Sequence, residues 1–396
     1  MVFLRNLISA IDFFLLIPVL VCIVASALVT LLPMLRSRYG LLTISLLATA
    51  GIYRQAMLGY LLINLMIYVF VSGLAWLSTS SHLQRRRHRW RWSSAAMLVL
   101  LIVFLAGRYY QLETRAVPSL GVTLFYYSLN MWAFLRLITL LWEFGAGRVE
   151  KPGLLAFMTW TSLPFTLIGP ILRYSEFEPQ VSSIYEAPKT ENIILSQRWR
   201  SYLWATGQIS LGLLITGFQV SVAGPGNGLS RWEKLAISFS LAPWSFYLLW
   251  AGYFKFMEGL AMFWGLNLPP SFNRPFGRSN LAEFWANWNM TATSVFRDYF
   301  FYNRWGLAKI NLYFNTLIVF LMVGVWHGLN GYWVLWGLLH GIGFCAYLWY
   351  RAFKPRFVVW RQKVLESPLR LAGPVATYLY VCLCWFLPPT ILKLLR

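Results

Sequence analysis

Long apolar runs recur from one end of this sequence to the other, and that feature constrains the fold more than any motif does. The hydrocarbon core of a bilayer is about 30 Å thick, so a spanning helix needs about 20 mostly apolar residues. Runs that meet or approach this length occupy 8–34, 57–77, 94–110, 119–142, 153–172, 199–222, 236–264, 309–329, 331–350 and 371–395. A further run at 41–53 is too short to span alone, and is expected to be re-entrant or to pair with the next run as a bent hairpin. Composition agrees. Of 396 residues 58% are hydrophobic and 12% charged, too little charge to keep the surface of a soluble domain of this length wet. The expected architecture is all-α: a multi-pass membrane bundle of about ten to eleven transmembrane helices, forming one domain over 1–396 with no soluble appendage. Ala25-Ser26-Ala27 resembles a signal-cleavage triplet, but the apolar stretch before it exceeds the roughly 7–15 residues of a signal core, so it is read as the first membrane helix.

The formal net charge of +21 suggests nucleic acid, a partner that the charge pattern excludes. Basic residues cluster in what read as loops flanking the apolar runs, most densely in RRRHRWR at 85–91, with a smaller cluster at Arg36 and Arg38. That is the positive-inside pattern, in which Lys and Arg stay cytoplasmic and face anionic membrane lipids. If 41–53 and 57–77 together cross and return, both clusters are cytoplasmic and the N-terminus lies outside. The four cysteines, Cys22, Cys345, Cys382 and Cys384, sit in apolar runs without metal-ligand spacing and read as small core residues. No period of about 20 to 50 residues is visible, which weighs against a transporter built from internal repeats.

Two stretches differ from the apolar background. Residues 173–198 carry Glu176, Glu178, Glu186, Lys189 and Glu191 with Pro and Ser, and read as a loop between helices. In 279–304, Leu281, Phe284, Trp285, Trp288, Phe296, Tyr299 and Phe300 recur at helical spacing, while Asn287, Asn289, Thr291, Thr293, Arg297 and Asp298 fill the other positions. Asn280 followed by Glu283 fits a capped helix start. A lipid-facing helix would not carry so many polar groups, so this one is expected along the interface or lining a wet cavity.

Of the four histidines, His82 and His88 lie in the expected basic loop and read as solvated, whereas His327 and His340 sit in apolar helical stretches. An ionisable group at membrane depth is costly and is a functional candidate, against the plain alternative of a neutral histidine hydrogen-bonded between helices. Thirteen positions separate the two and no acidic cluster accompanies them, so metal binding is not expected. Arg136 is also embedded, and could hold an anionic substrate group, snorkel, or satisfy backbone carbonyls. Lys255 and Glu258 are expected to pair on one helix face. GxSxG, Walker A, GxGxxG and HExxH motifs are all missing, which leaves hydrolase, ATPase and metalloprotease readings unsupported.

SFNRPFGRSNLAEFWANWNMTATSVFRDYFFYNRWG, followed by GVWHG and LLHG, resembles the membrane-bound O-acyltransferase family, and SLPFTLIGPILRYSEF upstream resembles its Pro-rich segment. The similarity runs from about 118 to 350 and is nearest the bacterial branch of teichoic-acid D-alanyl and alginate acetyl transferases. The family's essential histidine matches His327, and its second conserved position matches Asn289. The bacterial branch has a histidine after the residue corresponding to Trp288, whereas many eukaryotic members have asparagine there, as here. Arg173 and Arg297 match basic motif positions.

The resemblance implies a bundle enclosing a tunnel in which an acyl group passes from a thioester to a hydroxyl. His327 and Asn289 are then the catalytic candidates, with Trp285, Trp288, Arg136, Arg173, Arg297 and His340 as candidate substrate-binding residues. A hydroxyl is a poor nucleophile, and a base that removes its proton is worth about 10²–10⁴-fold. Neutral imidazole suits that role, and an asparagine amide can orient the hydroxyl or donate to the developing oxyanion. No permanently bound cofactor or metal is expected. Acyl-coenzyme A or an acyl-carrier protein would serve as co-substrate from the cytoplasmic side. The implied acceptor is a cell-envelope or exported polysaccharide in the bacterial inner membrane setting, with a separate extracytoplasmic esterase-like partner. A lysolipid or other lipid hydroxyl is the alternative acceptor, and a transporter, flippase or non-catalytic assembly factor the alternative class.

Overall fold

Without water to satisfy them, backbone N–H and C=O groups in apolar runs must pair within their own segment, so such runs become helices. In the computed structural model the chain is described over residues 16–53, 57–77, 82–114, 130–186, 195–223, 228–302, 311–353 and 371–394. Among these residues there are helices and no strands. Among the described residues six helices are long and apolar enough to cross a membrane: they fall within α3 (Met57–Leu77), α4 (His82–Thr114), α9 (Leu195–Ala223), α10 (Arg231–Met262), α14 (Gly331–Phe353) and α15 (Ala372–Leu394). Two shorter apolar helices are α1 (Ile17–Leu31) and α13 (Leu312–His327). The expected ten to eleven are not confirmed among the described residues. The run at 153–172 is cut into α6 (Leu154–Thr161) and α7 (Pro164–Leu167), because Pro164 drives the preceding Leu163 into extended backbone. The short run at 41–53 lies in α2 (Arg38–Tyr53), and 119–142 is described only from 130 onward, as α5 (Met131–Gly145).

Two sequence expectations are corrected. The basic run at 85–91 is not a loop but the opening of α4. Within it Arg89 is buried, pairs with Glu150 at 3.2 Å and lies over the Phe144 ring at 4.9 Å. Much of the polar stretch 173–198 is likewise helical, as α8 (Tyr174–Glu186) and the start of α9. Tyr174, Phe177 and Val181 give α8 one buried face, and Glu176 accepts from the Arg173 N–H at its start.

Packing divides the chain into two units, Met1–Thr206 with Gly252–Pro269, and Gly207–Ala251 with Pro270–Arg396. The first is organised around α5. Asn130 caps it by accepting from the Trp132 and Ala133 N–H groups at 3.0 and 2.8 Å, and every residue from 133 to 145 is buried. The expected Lys255–Glu258 pair is present at 3.1 Å. In the second unit, α13 and α14 approach backbone to backbone. A Cβ at Gly324 would come within 2.3 Å of the Trp333 carbonyl oxygen, and one at Gly337 within 2.5 Å of the Phe320 carbonyl oxygen. Small residues at such crossings are what allow apolar helices to pack without a hydrophobic driving force.

Candidate active site

The segment 279–304 is not the single helix that its spacing suggests. Asn280 starts α11 (Leu281–Asn287) with the expected cap: it accepts from the Glu283 N–H at 3.0 Å, while its amide Nδ2 donates to Glu283 Oε1 at 2.7 Å. The chain then breaks. Trp288 is extended, and Asn289 adopts the left-handed conformation, φ 38° and ψ 55°, before α12 (Met290–Val295) and a π-helical turn, Phe296–Phe301. Asparagine tolerates that backbone better than almost any residue except glycine. The loop at 271–273 pins the break, as the Met290 N–H donates to the Ser271 carbonyl at 2.6 Å and the Asn273 N–H to the Asn287 carbonyl at 3.0 Å. Arg278 locks the loop further, donating to the Asn273 carbonyl at 2.7 Å and to Asn287 Oδ1 at 3.0 Å.

This break faces a cavity of about 360 Å³ in the second unit. Asn289 and His327 both line it, as do Trp285, Trp288 and Arg297. The remaining lining is chiefly apolar, including Ala286, Val323 and Phe344. His327 is half-buried, not enclosed within its helix: it is the last residue of α13 and has aromatic neighbours at short range. Trp288 is buried and stacks against Phe284 with ring centroids 5.3 Å apart. Arg297 is the lining cation, its Nε donating to Asp298 Oδ1 at 2.8 Å.

The other candidates are placed elsewhere. His340 is fully buried behind the lining, with its ring 5.0 Å from that of Trp285 and 4.5 Å from that of Trp336. Arg136 and Arg173 belong to the first unit. Arg136 is 2% exposed, and its guanidinium donates to the Trp160 and Thr161 carbonyls at 3.1 Å each, to Thr166 Oγ1 at 2.6 Å and to the Tyr60 hydroxyl at 3.2 Å. These bonds fulfil the carbonyl-satisfying alternative, closing the C-terminal end of α6, where cations are favoured. Arg173 stands at the start of α8. Sequence reasoning did not single out Trp333 and Trp336, which flank His327. Their spacing six and nine positions after it, across a Gly-Leu-Asn-Gly turn, was the available signal.

Residues 50–385 match the membrane-bound O-acyltransferase family. The chain is 26% identical over 243 residues to a peptidoglycan O-acetyltransferase from Helicobacter pylori, covering 56% of this chain and 41% of that one. It is 28% identical over 163 residues to a teichoic acid D-alanyltransferase from Bacillus subtilis, covering 36% and 38%. A probable alginate O-acetylase from Pseudomonas putida is 31% identical over 181 residues, covering 45% and 36%. The chain thus spans less than half the length of these relatives. With a family match over most of its length and six helices suited to a bilayer, this chain is an integral membrane protein belonging to the membrane-bound O-acyltransferase family.

Proposed function

We propose that this chain transfers an acetyl or other short acyl group from a thioester to a hydroxyl of a cell-envelope or exported polysaccharide. The observation that carries the reading is that Asn289, in the break between α11 and α12, and His327, at the end of α13, line the same cavity. The names of the relatives support the acceptor class, since they are transferases of peptidoglycan, teichoic acid and alginate.

In the proposed reaction His327 takes the proton of the acceptor hydroxyl as its oxygen attacks the thioester carbonyl carbon. The Asn289 amide donates to the oxyanion that develops. Collapse of the intermediate forms the ester, breaks the carbon–sulfur bond, and returns the proton from the imidazolium to the departing thiolate. No oxidant, metal or permanent cofactor enters this balance. The donor, acyl-coenzyme A or an acyl-carrier protein, reaches the cavity from the cytoplasm and the acceptor from the opposite face of the bacterial inner membrane, where an esterase-like partner takes part. A cavity of about 360 Å³ suits a short acyl group and leaves room for the acceptor oxygen and the thioester sulfur.

The test is to compare cells with and without the chain for acyl groups released by mild base from purified envelope polymer and, separately, from extracted lipid. Chain-dependent esters on the polymer are the expected result. Esters confined to lipid would move the acceptor to a lysolipid, and none in either fraction would overturn the transferase reading.

A further inference from the structure

His327 ends α13, and Trp333 follows in the first turn of α14. Their rings are stacked, with centroids 4.7 Å apart and planes at 19°. Trp336 meets the same imidazole edge-on, at 5.4 Å and 77°. The backbone around Trp333 leaves it little freedom. Its N–H donates to Asn330 Oδ1 at 3.1 Å. Its carbonyl oxygen lies only 2.3 Å from where a Cβ on Gly324 would be, and its Cδ1 only 2.4 Å from where a Cβ on Gly328 would be. The indole therefore rests on the Gly328 backbone and on the imidazole at once, and Gly324 makes room for the backbone that carries it.

A histidine that accepts a proton becomes a cation, and in a low-dielectric cavity that cation needs support. Serine hydrolases supply a carboxylate for this purpose. The face of an indole attracts a cation held over it, with tryptophan the strongest of the aromatic side chains. We propose that Trp333 is a positioning residue for His327, its ring fixing the imidazole plane and steadying the imidazolium through its stacked face. The inference rests on His327 being the base of the proposed reaction.

The test uses the full chain in its membrane as wild type, Trp333→Phe, Trp333→Leu and His327→Ala. Base-released acyl on envelope polymer is measured per inserted molecule. In parallel, the four histidines are isotope-labelled and their ring signals followed by NMR in detergent. Trp333→Leu is expected to lower acylation about five- to thirtyfold and to abolish the upfield ring-current displacement of the His327 signals. Trp333→Phe keeps an aromatic face and is expected to retain both the displacement and most of the acylation, although both variants melt at similarly reduced temperatures. A Leu variant as active as wild type, or a Phe variant as impaired as Leu, overturns the proposal. Activity in His327→Ala would instead remove the base itself and the inference with it. An inactive His327→Ala beside a fully active Trp333→Leu removes the inference alone.

Discussion

Arg136 and His327 occupy equivalent places in the sequence, each an ionisable side chain in a helix otherwise rich in apolar residues, yet the fold treats them in opposite ways. Arg136 sits in the middle of α5, buried on all sides, and four hydrogen bonds tie its guanidinium to acceptors on α3, α6 and α7. His327 ends its helix, is half-buried and faces a cavity. The cost of placing a polar group in an apolar interior is met for Arg136 by protein acceptors, whereas His327 faces a space that a reactant enters in the proposed reaction. An embedded charge therefore marks a reactive site only where its hydrogen bonds leave it facing such a space.

The largest effect that would separate the two regions is on stability. Arg136→Leu removes the donor to two buried carbonyls and two buried hydroxyls, and is expected to destabilise the protein by about 3–5 kcal/mol. Thermal unfolding in detergent would measure it, and acylation per surviving folded molecule should stay near wild type. A stable but inactive variant would move Arg136 to the substrate side of the comparison.

Asn289 sharpens the contrast, because its backbone and its amide can be tested apart. Alanine at φ 38° adds a strain of about 1–2 kcal/mol that obscures any catalytic loss. Glycine accepts the left-handed conformation and removes only the amide. Asn289→Gly is therefore expected to melt near wild type while losing about 10²–10³-fold in turnover, the usual consequence of deleting an oxyanion donor. Full activity in the glycine variant would mean that asparagine is needed there for its backbone alone.

Glycines show the smaller end of the scale. Gly337→Ala forces a methyl against the Phe320 carbonyl and should cost about 1–3 kcal/mol, with turnover falling as the α13–α14 crossing shifts. Gly217→Ala in α9 meets nothing within 4 Å and should raise the melting temperature slightly, by the roughly 0.5–1 kcal/mol of helix propensity that glycine forgoes. Equal responses at the two positions would contradict the close backbone approach.

Much of this was legible in the sequence for physical reasons. Apolar length announced the helices, the Asn280–Glu283 spacing announced a cap, and three-residue spacing announced the Lys255–Glu258 pair. What was not legible depended on tertiary context. The α8 helix was hidden because Glu, Ser and Pro dominate its exposed side, leaving only Tyr174, Phe177 and Val181 to mark the buried face. The basic run at 85–91 resembled a loop because charge density says nothing about backbone, and Arg89 finds both an acid and an aromatic ring within the fold. The break at Asn289 is invisible to periodicity, since Leu281, Phe284, Trp285 and Trp288 keep helical spacing up to it. Only the NWN triplet, with residue types that accept unusual backbone angles, hinted at it.

The central claim is that the cavity shared by Asn289 and His327 is where acyl transfer takes place, with His327 as the base. Its most direct test is base-released acyl on envelope polymer from membranes carrying equal amounts of wild-type and His327→Ala protein, with melting temperatures recorded for both. The account predicts that the variant inserts and melts like wild type and makes no ester above background. Ester formation near the wild-type level by a normally folded His327→Ala protein would contradict it.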